Sequence, residues 1–147
     1  MTHKELTERA SKWLKRHNQN TIVPNCNTIA SEITSATSTG EIPDVIGWCS
    51  WTSVLIEVKI SRSDFLRDAK KTFRKFADMG MGEHRYYICP KYLLTIEDVP
   101  ENWGLLYCNE KSKIEIVKKA EQQEANLRCE RSMLLSLNRR AKSSACV

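Results

Sequence analysis

Asp44, Glu57 and Lys59 are three charged side chains in the most strand-like part of the sequence. Asp44 opens the run "PDVIGW", and Glu57 and Lys59 lie inside "SVLIEVKI". Ionised groups are costly to bury unless they are paired or bound to metal. Residues two apart in a strand point to one face, so Glu57 and Lys59 project together while Val54, Ile56, Val58 and Ile60 project the other way. A hairpin between the two runs brings Asp44 toward Glu57. Two carboxylates alone would repel and raise each other's pKa. A divalent cation removes that conflict, and Mg2+ takes one or two carboxylates together with waters and substrate phosphate. Lys59 could then hold or deprotonate an attacking water, or offset charge on the phosphate. The plainer reading leaves Glu57 and Lys59 on a solvent-facing strand surface and Asp44 in a turn, because an acid-x-Lys triplet alone is common.

These side chains need elements to position them. Leu6, Ala10, Trp13, Leu14 and His17 recur at helical spacing and predict a first helix from about Lys4 to His17, ended by Asn18, Asn20 and Pro24. A short strand is expected over 28–34, then a turn in "SATSTGE". "DVIGW" and "SVLIEVKI" follow as a hairpin closed near "CSWT". Ser61 and Asp64 match a capping box. They begin a helix whose apolar stripe is Phe65, Ala69, Phe73 and Phe76 and whose basic outer face is Arg67, Lys71, Arg74 and Lys75, stopped at Gly80 and Gly82. "RYYICP" reads as a strand and "WGLLYC" as one more. From Ile114 to Ala141 the pattern predicts a helix with the pairs Glu115–Lys119 and Glu124–Arg128, then a frayed tail. Strands interleaved with helices make an α/β sheet covered by helices.

Length and composition bound the rest. A chain of 147 residues suits one domain, and 41% hydrophobic with 28% charged residues is ordinary for a globular protein. No apolar run approaches the ~20 residues that span a bilayer. The charged N-terminus lacks a signal-peptide core, so a cytoplasmic location is expected. The six cysteines form no CxxC or zinc spacing and read as buried thiols, and His3, His17 and His84 are scattered. The net charge of +5 is concentrated in residues 62–85, with 7 basic and 4 acidic side chains, and in 111–147, with 9 and 4. That distribution suits a polyanionic partner.

"PD" at 43–44 and "EVK" at 57–59 resemble the PD-(D/E)XK nuclease superfamily, and the expected element order resembles that family's αβββαβ core. The run "GEIPDVIGW…LIEVKISRSDFLRDAKK…GMGEHRYYICP…VPENWGLLYC" is similar to small stand-alone members from bacteria, phages and prophages. The resemblance implies a restriction-endonuclease-like fold over residues 1–110, with a central mixed sheet flanked by helices. A basic C-terminal helix and tail over 111–147 lie outside it. It further implies Asp44 and Glu57 as Mg2+ ligands, with Mn2+ able to substitute, the Val58 main-chain carbonyl as another ligand, and Lys59 as the catalytic lysine. Glu5 or Glu8 would be the acid contributed by the first helix, and Glu32 and Glu41 could border the metal. Lys70, Lys71, Arg74, Lys75 and Arg85 could touch phosphates. Trp48 reads as core and Trp51 as a plug for the hairpin turn, with base stacking as the other reading of both. The expected partner is DNA, with RNA open, and no membrane. Met133, Leu134, Leu135 and Leu137 could join a second copy. The expected activity is metal-dependent hydrolysis of phosphodiester bonds. The competing expectation is a nucleic-acid-binding or assembly module that keeps the fold without catalysis.

Overall fold

A computed structural model describes residues 1–15, 22–32 and 40–145. Its elements run α1 (His3–Lys15), β1 (Thr28–Ser31), β2 (Val45–Trp48), β3 (Ser53–Val58), α2 (Arg62–Asp68), α3 (Thr72–Lys75), a 3-10 turn (Ala77–Met79), β4 (His84–Pro90), β5 (Gly104–Cys108), β6 (Ile114–Lys118) and α4 (Leu127–Ala145). The strands form one mixed sheet in the order β1 to β6. The pairs β1–β2, β2–β3 and β5–β6 are antiparallel, and β3–β4 and β4–β5 are parallel. The fold is α/β, with helices on both faces of a central sheet and a further helix at the C-terminus.

Alternation along the strands divides the apolar residues into two cores. Val54, Ile56 and Val58 of β3 join Val45, Tyr86, Ile88 and Leu106 under Leu6, Ala10 and Leu14 of α1. Leu55 points the other way, into a cluster with Ile46, Trp48, Tyr87, Leu105, Phe65 of α2 and Met133 of α4. Gly47 lets α1 settle close to the sheet: a Cβ there would lie 2.7 Å from the Cys26 Cβ and 2.8 Å from Leu14 Cδ2. On the opposite face Glu130 anchors α4. Its carboxylate accepts from Trp48 Nε1 (3.0 Å), Ser53 Oγ (3.1 Å) and the Gly82 amide (2.9 Å).

The predicted helix after Ser61 breaks. Ser61 does cap α2, its hydroxyl accepting from the Asp64 amide at 3.2 Å. The helix nevertheless ends at Asp68. Ala69 and Phe76 are exposed and Phe73 is half-buried, so the expected apolar stripe does not form. In a continuous helix Arg74 would sit about 240° around the axis from Asp68, at 3.6 residues per turn. The break lets Arg74 turn inward and donate to Asp68 at 2.8 Å.

Residues 114–118, predicted helical, form β6 instead. Ile114 and Ile116 lie half-buried with Glu115 exposed between them, a two-residue period. Their partner strand β5 supplies the hydrogen bonds that local sequence does not reveal. The chain then crosses extended to α4, fastened by Gln123 N to Glu83 O and Asn126 N to Gly80 O, both 2.8 Å.

The C-terminal apolar stripe is taken up by this chain's own core. Met133 is fully buried and Leu134 and Leu137 pack beside it, leaving Leu135 exposed. His17, Asn18 and Asn20, the end of the 28–34 strand, most of the "SATSTGE" turn and the last two residues lie outside the described residues. Among the described residues no helix is long and apolar enough to cross a membrane.

Candidate active site

The antiparallel register pairs Val45 with Ile56, which sets Asp44 opposite Glu57 at the end of the hairpin. Asp44 is fixed there by the Val58 amide, which donates to its Oδ2 at 2.8 Å. The Glu57 carboxyl hydrogen-bonds to Asp44. Lys59 follows just beyond β3, its amide bonded to Ile88 O of the neighbouring parallel strand at 2.9 Å. Asp44, Glu57, Val58 and Lys59 line one hollow, whose wall also includes His3, Asp68 and Lys71. Glu57 and Lys59 share a face of β3, but that face is covered: they are 4% and 7% exposed.

What covers them is the broken segment after α2. Arg74 enters the site and meets three carboxylates: Glu41 at 2.7 Å, Asp68 at 2.8 Å and Glu57 at 3.1 Å. Asp68 is also approached by Lys59 at 3.5 Å and Lys71 at 3.3 Å, and it accepts from Tyr87 Oη at 2.7 Å. Glu57 Oε1 is buried and has no hydrogen-bond partner among the described residues, since the Arg74 approach is an ion pair without hydrogen-bond geometry.

These surroundings separate two carboxyls that share one arginine. Burial raises Glu57 to about 8. Arg74 pulls down, but Asp44 and Asp68 push the same way as burial. Burial also acts against the Asp68 charge, yet Arg74, Lys59 and the Tyr87 hydroxyl outweigh it and hold Asp68 at about 2. Burial raises Asp44 above its ordinary value against the Val58 amide and the bond from Glu57. Carboxyls pushed apart in this way are a mark of sites that hold protons or cations.

The remaining candidates divide. Glu41 is buried, but its oxygens face Arg74 and the Met81 amide (2.8 Å), so it anchors the arginine rather than bordering the hollow. Glu5 caps α1, accepting from the Thr2 amide at 2.8 Å, and Glu8 lines a different hollow with Lys12 and Ser31. Arg85 is no phosphate contact: it is 1% exposed and donates to the carbonyls of Ala77, Gly80, Gly82 and Glu124. Arg74 leaves the basic outer face for the reason given above. Lys70, Lys71 and Lys75 remain exposed. Trp48 is core as expected, whereas Trp51 is 66% exposed and stands edge-on to His84 rather than plugging the turn.

His3 carried no signal in the sequence. It lies at the first turn of α1, with Nε2 3.3 Å from Asp44 Oδ1 and Nδ1 3.5 Å from Glu32 Oε1. Glu32 is brought there by a left-handed backbone (φ 50°) and by its amide, which bonds to the carbonyls of Pro43 and Asp44. One atom each from His3, Glu32 and Asp44 falls within 4.8 Å of the others, a set able to hold a cation. The first helix therefore contributes to the site through an imidazole instead of the expected carboxylate.

No family model matches the chain, and no curated protein matches it. Among solved structures the chain is similar to the SPO1766 protein of unknown function from Silicibacter pomeroyi, with a TM-score of 0.58 and 23% identity over 80% of this chain and 79% of that one. At that identity the likeness shows the fold, an α/β mixed sheet, and nothing of the chemistry.

Proposed function

We propose that the protein is a metal-dependent nuclease of the PD-(D/E)XK kind that hydrolyses phosphodiester bonds in DNA. The observation that carries this reading is the meeting of Asp44 and Glu57, two carboxyls hydrogen-bonded to each other in a hollow that Lys59 also lines. Burial and the neighbouring acids oppose ionisation of the pair, and a divalent cation would relieve that conflict. Asp44 and Glu57 would hold Mg2+ or Mn2+ with the Val58 carbonyl, and His3, beside Asp44 and Glu32, could add a further ligand. When bound, the ion would lower the pKa of water and screen phosphate charge.

The chain's own groups do the rest. Asp44, oriented by the Val58 amide, fixes one ligand direction. Lys59, held beside Asp68, keeps an ammonium where charge develops on the phosphate or where a water attacks. Lys70, Lys71 and Lys75 offer exposed charge to the nucleic-acid backbone. We place the protein in the cytoplasm, where the thiols of Cys26, Cys49, Cys89 and Cys108 stay reduced.

A second reading is a nucleic-acid-binding or assembly module without catalysis. It is favoured by Arg74, a permanent cation already 3.1 Å from Glu57. Purified protein incubated with supercoiled, linear, single-stranded and branched DNA, and with RNA, with and without Mg2+ or Mn2+, separates the two. The nuclease reading expects metal-dependent cleavage that Lys59→Ala abolishes. Binding to these substrates with no cleavage by either protein selects the module.

A further inference from the structure

Tyr92 is held in an unusual way. The turn after β4 is closed by Leu93 N to Pro90 O at 3.1 Å, and its third residue, Tyr92, has φ 69°. Such a turn calls for glycine or asparagine at this position, because a side chain there crowds the backbone. Tyr92 does not regain that cost by burial, for it is 75% exposed. Its ring packs at a T-shaped angle with Tyr107, centroids 5.7 Å apart, and the Lys91 ammonium, 3.8 Å from Glu115, stands 5.3 Å from its centre. An aromatic ring kept in water by a backbone that disfavours it is an observation that asks for a ligand.

The ring's place in the fold says which ligand. β3 and β4 are parallel, and the Lys59 amide bonds to Ile88 O, so the turn after Pro90 leaves the sheet at the same edge as Lys59. Arg62, three residues past Lys59, ties the two together by donating to Leu93 O at 3.2 Å. A shallow groove beside the turn is lined by Lys91, Lys111, Asn109, Glu110 and Met1, and Met1 is two residues from the His3 that contacts Asp44. One exposed ring next to Lys91, at the end of the sheet where Lys59 lies, suits a flat, unpaired base of a phosphate-linked strand.

We infer that Tyr92 is a stacking platform for an unpaired base, so that the substrate of the hollow is a single-stranded nucleic acid or a frayed end rather than intact duplex. The inference rests on the nuclease reading for what happens at Lys59, but not for binding. A stacked base presents its face whatever its sequence, so no base preference is expected. At 75% exposure the Tyr92 ring keeps surface for one base beside Lys91, at the end of the sheet where Lys59 lies.

The test compares wild type, Tyr92→Gly and Tyr92→Phe in EDTA, where no metal-dependent cleavage occurs, using a fluorescein-labelled oligothymidylate and a duplex of equal length. Tyr92→Gly relieves the left-handed strain and should unfold at no lower urea concentration than wild type. It should bind the single strand about tenfold more weakly and the duplex unchanged, while Tyr92→Phe stays within about twofold of wild type, because stacking needs the ring and not the hydroxyl. Equal single-strand affinity for wild type and Tyr92→Gly overturns the inference, as does an equal loss on the duplex. Wild-type cleavage in Mg2+ is read separately. Loss of single-strand binding in Tyr92→Gly without any wild-type cleavage keeps the platform and removes the nuclease.

Discussion

Arg74 Nη2 and Glu57 Oε1 stand 3.1 Å apart inside the protein, although Arg74 lies 17 residues after Glu57 on what reads in the sequence as an outward-facing basic helix. The guanidinium lies against the carboxyl proposed above as a metal ligand. It also holds Glu41 and Asp68, so it braces the segment over the site, and on the nuclease reading it would compete with the metal for Glu57.

Removing that brace strands three buried carboxylates. Arg74→Met should destabilise the fold by about 3–5 kcal/mol at pH 7, the usual cost of deleting one partner of a buried pair. The loss should shrink in Mg2+, since the ion can replace part of the missing charge. Urea unfolding with EDTA and with Mg2+ measures both. A cost under ~1 kcal/mol in EDTA would show that the carboxylates relax without the arginine.

Acidity should act on the metal-free protein in a defined direction. Glu57 is held at about 8 against an ordinary 4.5, so over that interval the folded state keeps a proton the unfolded chain has released. Stability in EDTA therefore falls as pH rises from about 5 to about 8. Asp68, held at about 2 against 3.8, adds stability above its unfolded value that is lost as pH drops toward 2. The urea midpoint in EDTA should thus be higher at pH 5 than at pH 8, and Mg2+ should raise it more at pH 8. A midpoint in EDTA that climbs between pH 5 and 8 would mean Glu57 is ionised in the empty fold.

Catalyst and ligand roles separate by substitution. Lys59→Ala should lose cleavage while keeping most DNA and metal binding. Asp44→Asn should weaken metal binding as well, measured by calorimetry. His3→Ala should weaken Mn2+ more than Mg2+, because imidazole suits Mn2+ better than the harder ion. Equal affinities of His3→Ala and wild type for both ions would place the imidazole outside the metal site.

The exposed lysines make a separate prediction. Charge reversal of Lys71 and Lys75 should weaken DNA binding and lower the log–log salt slope by roughly 0.9 for each phosphate that is no longer neutralised. Lys71 also pairs with Asp68, so the double variant is compared with Lys75→Glu alone. An unchanged slope in both would show that this face meets only water.

Much of this was legible in the chain. The alternation of "SVLIEVKI" fixes which residues share a face, and the hairpin register then follows, so the approach of Asp44 to Glu57 could be read directly. The cap at Ser61 could be read too, because it is local. The fate of Arg74 could not: its inward turn depends on Glu41, 33 residues earlier, and on a helix break that no glycine or proline marks. β6 was hidden for the same kind of reason, since its partner β5 decides between a strand and the helix that its charges suggest. His3 was missed because one histidine near a terminus has no spacing to interpret. Its meaning comes from Glu32 and Asp44, which only the sheet brings to it.

Glu130 gives the fold an order in time. The amide of Gly82, the hydroxyl of Ser53 and the indole of Trp48 all donate to a residue of α4, which follows all six strands, and Met133 closes the cluster around Leu55 and Tyr87. During synthesis one face of the sheet therefore lacks part of its cover until α4 emerges, while the α1 face can already close. At that stage Trp48 still lacks its Glu130 partner and the cluster around Leu55 lacks Met133, leaving apolar surface of the kind chaperones grip. A stop codon before residue 130 would leave the nascent chain in that state for good.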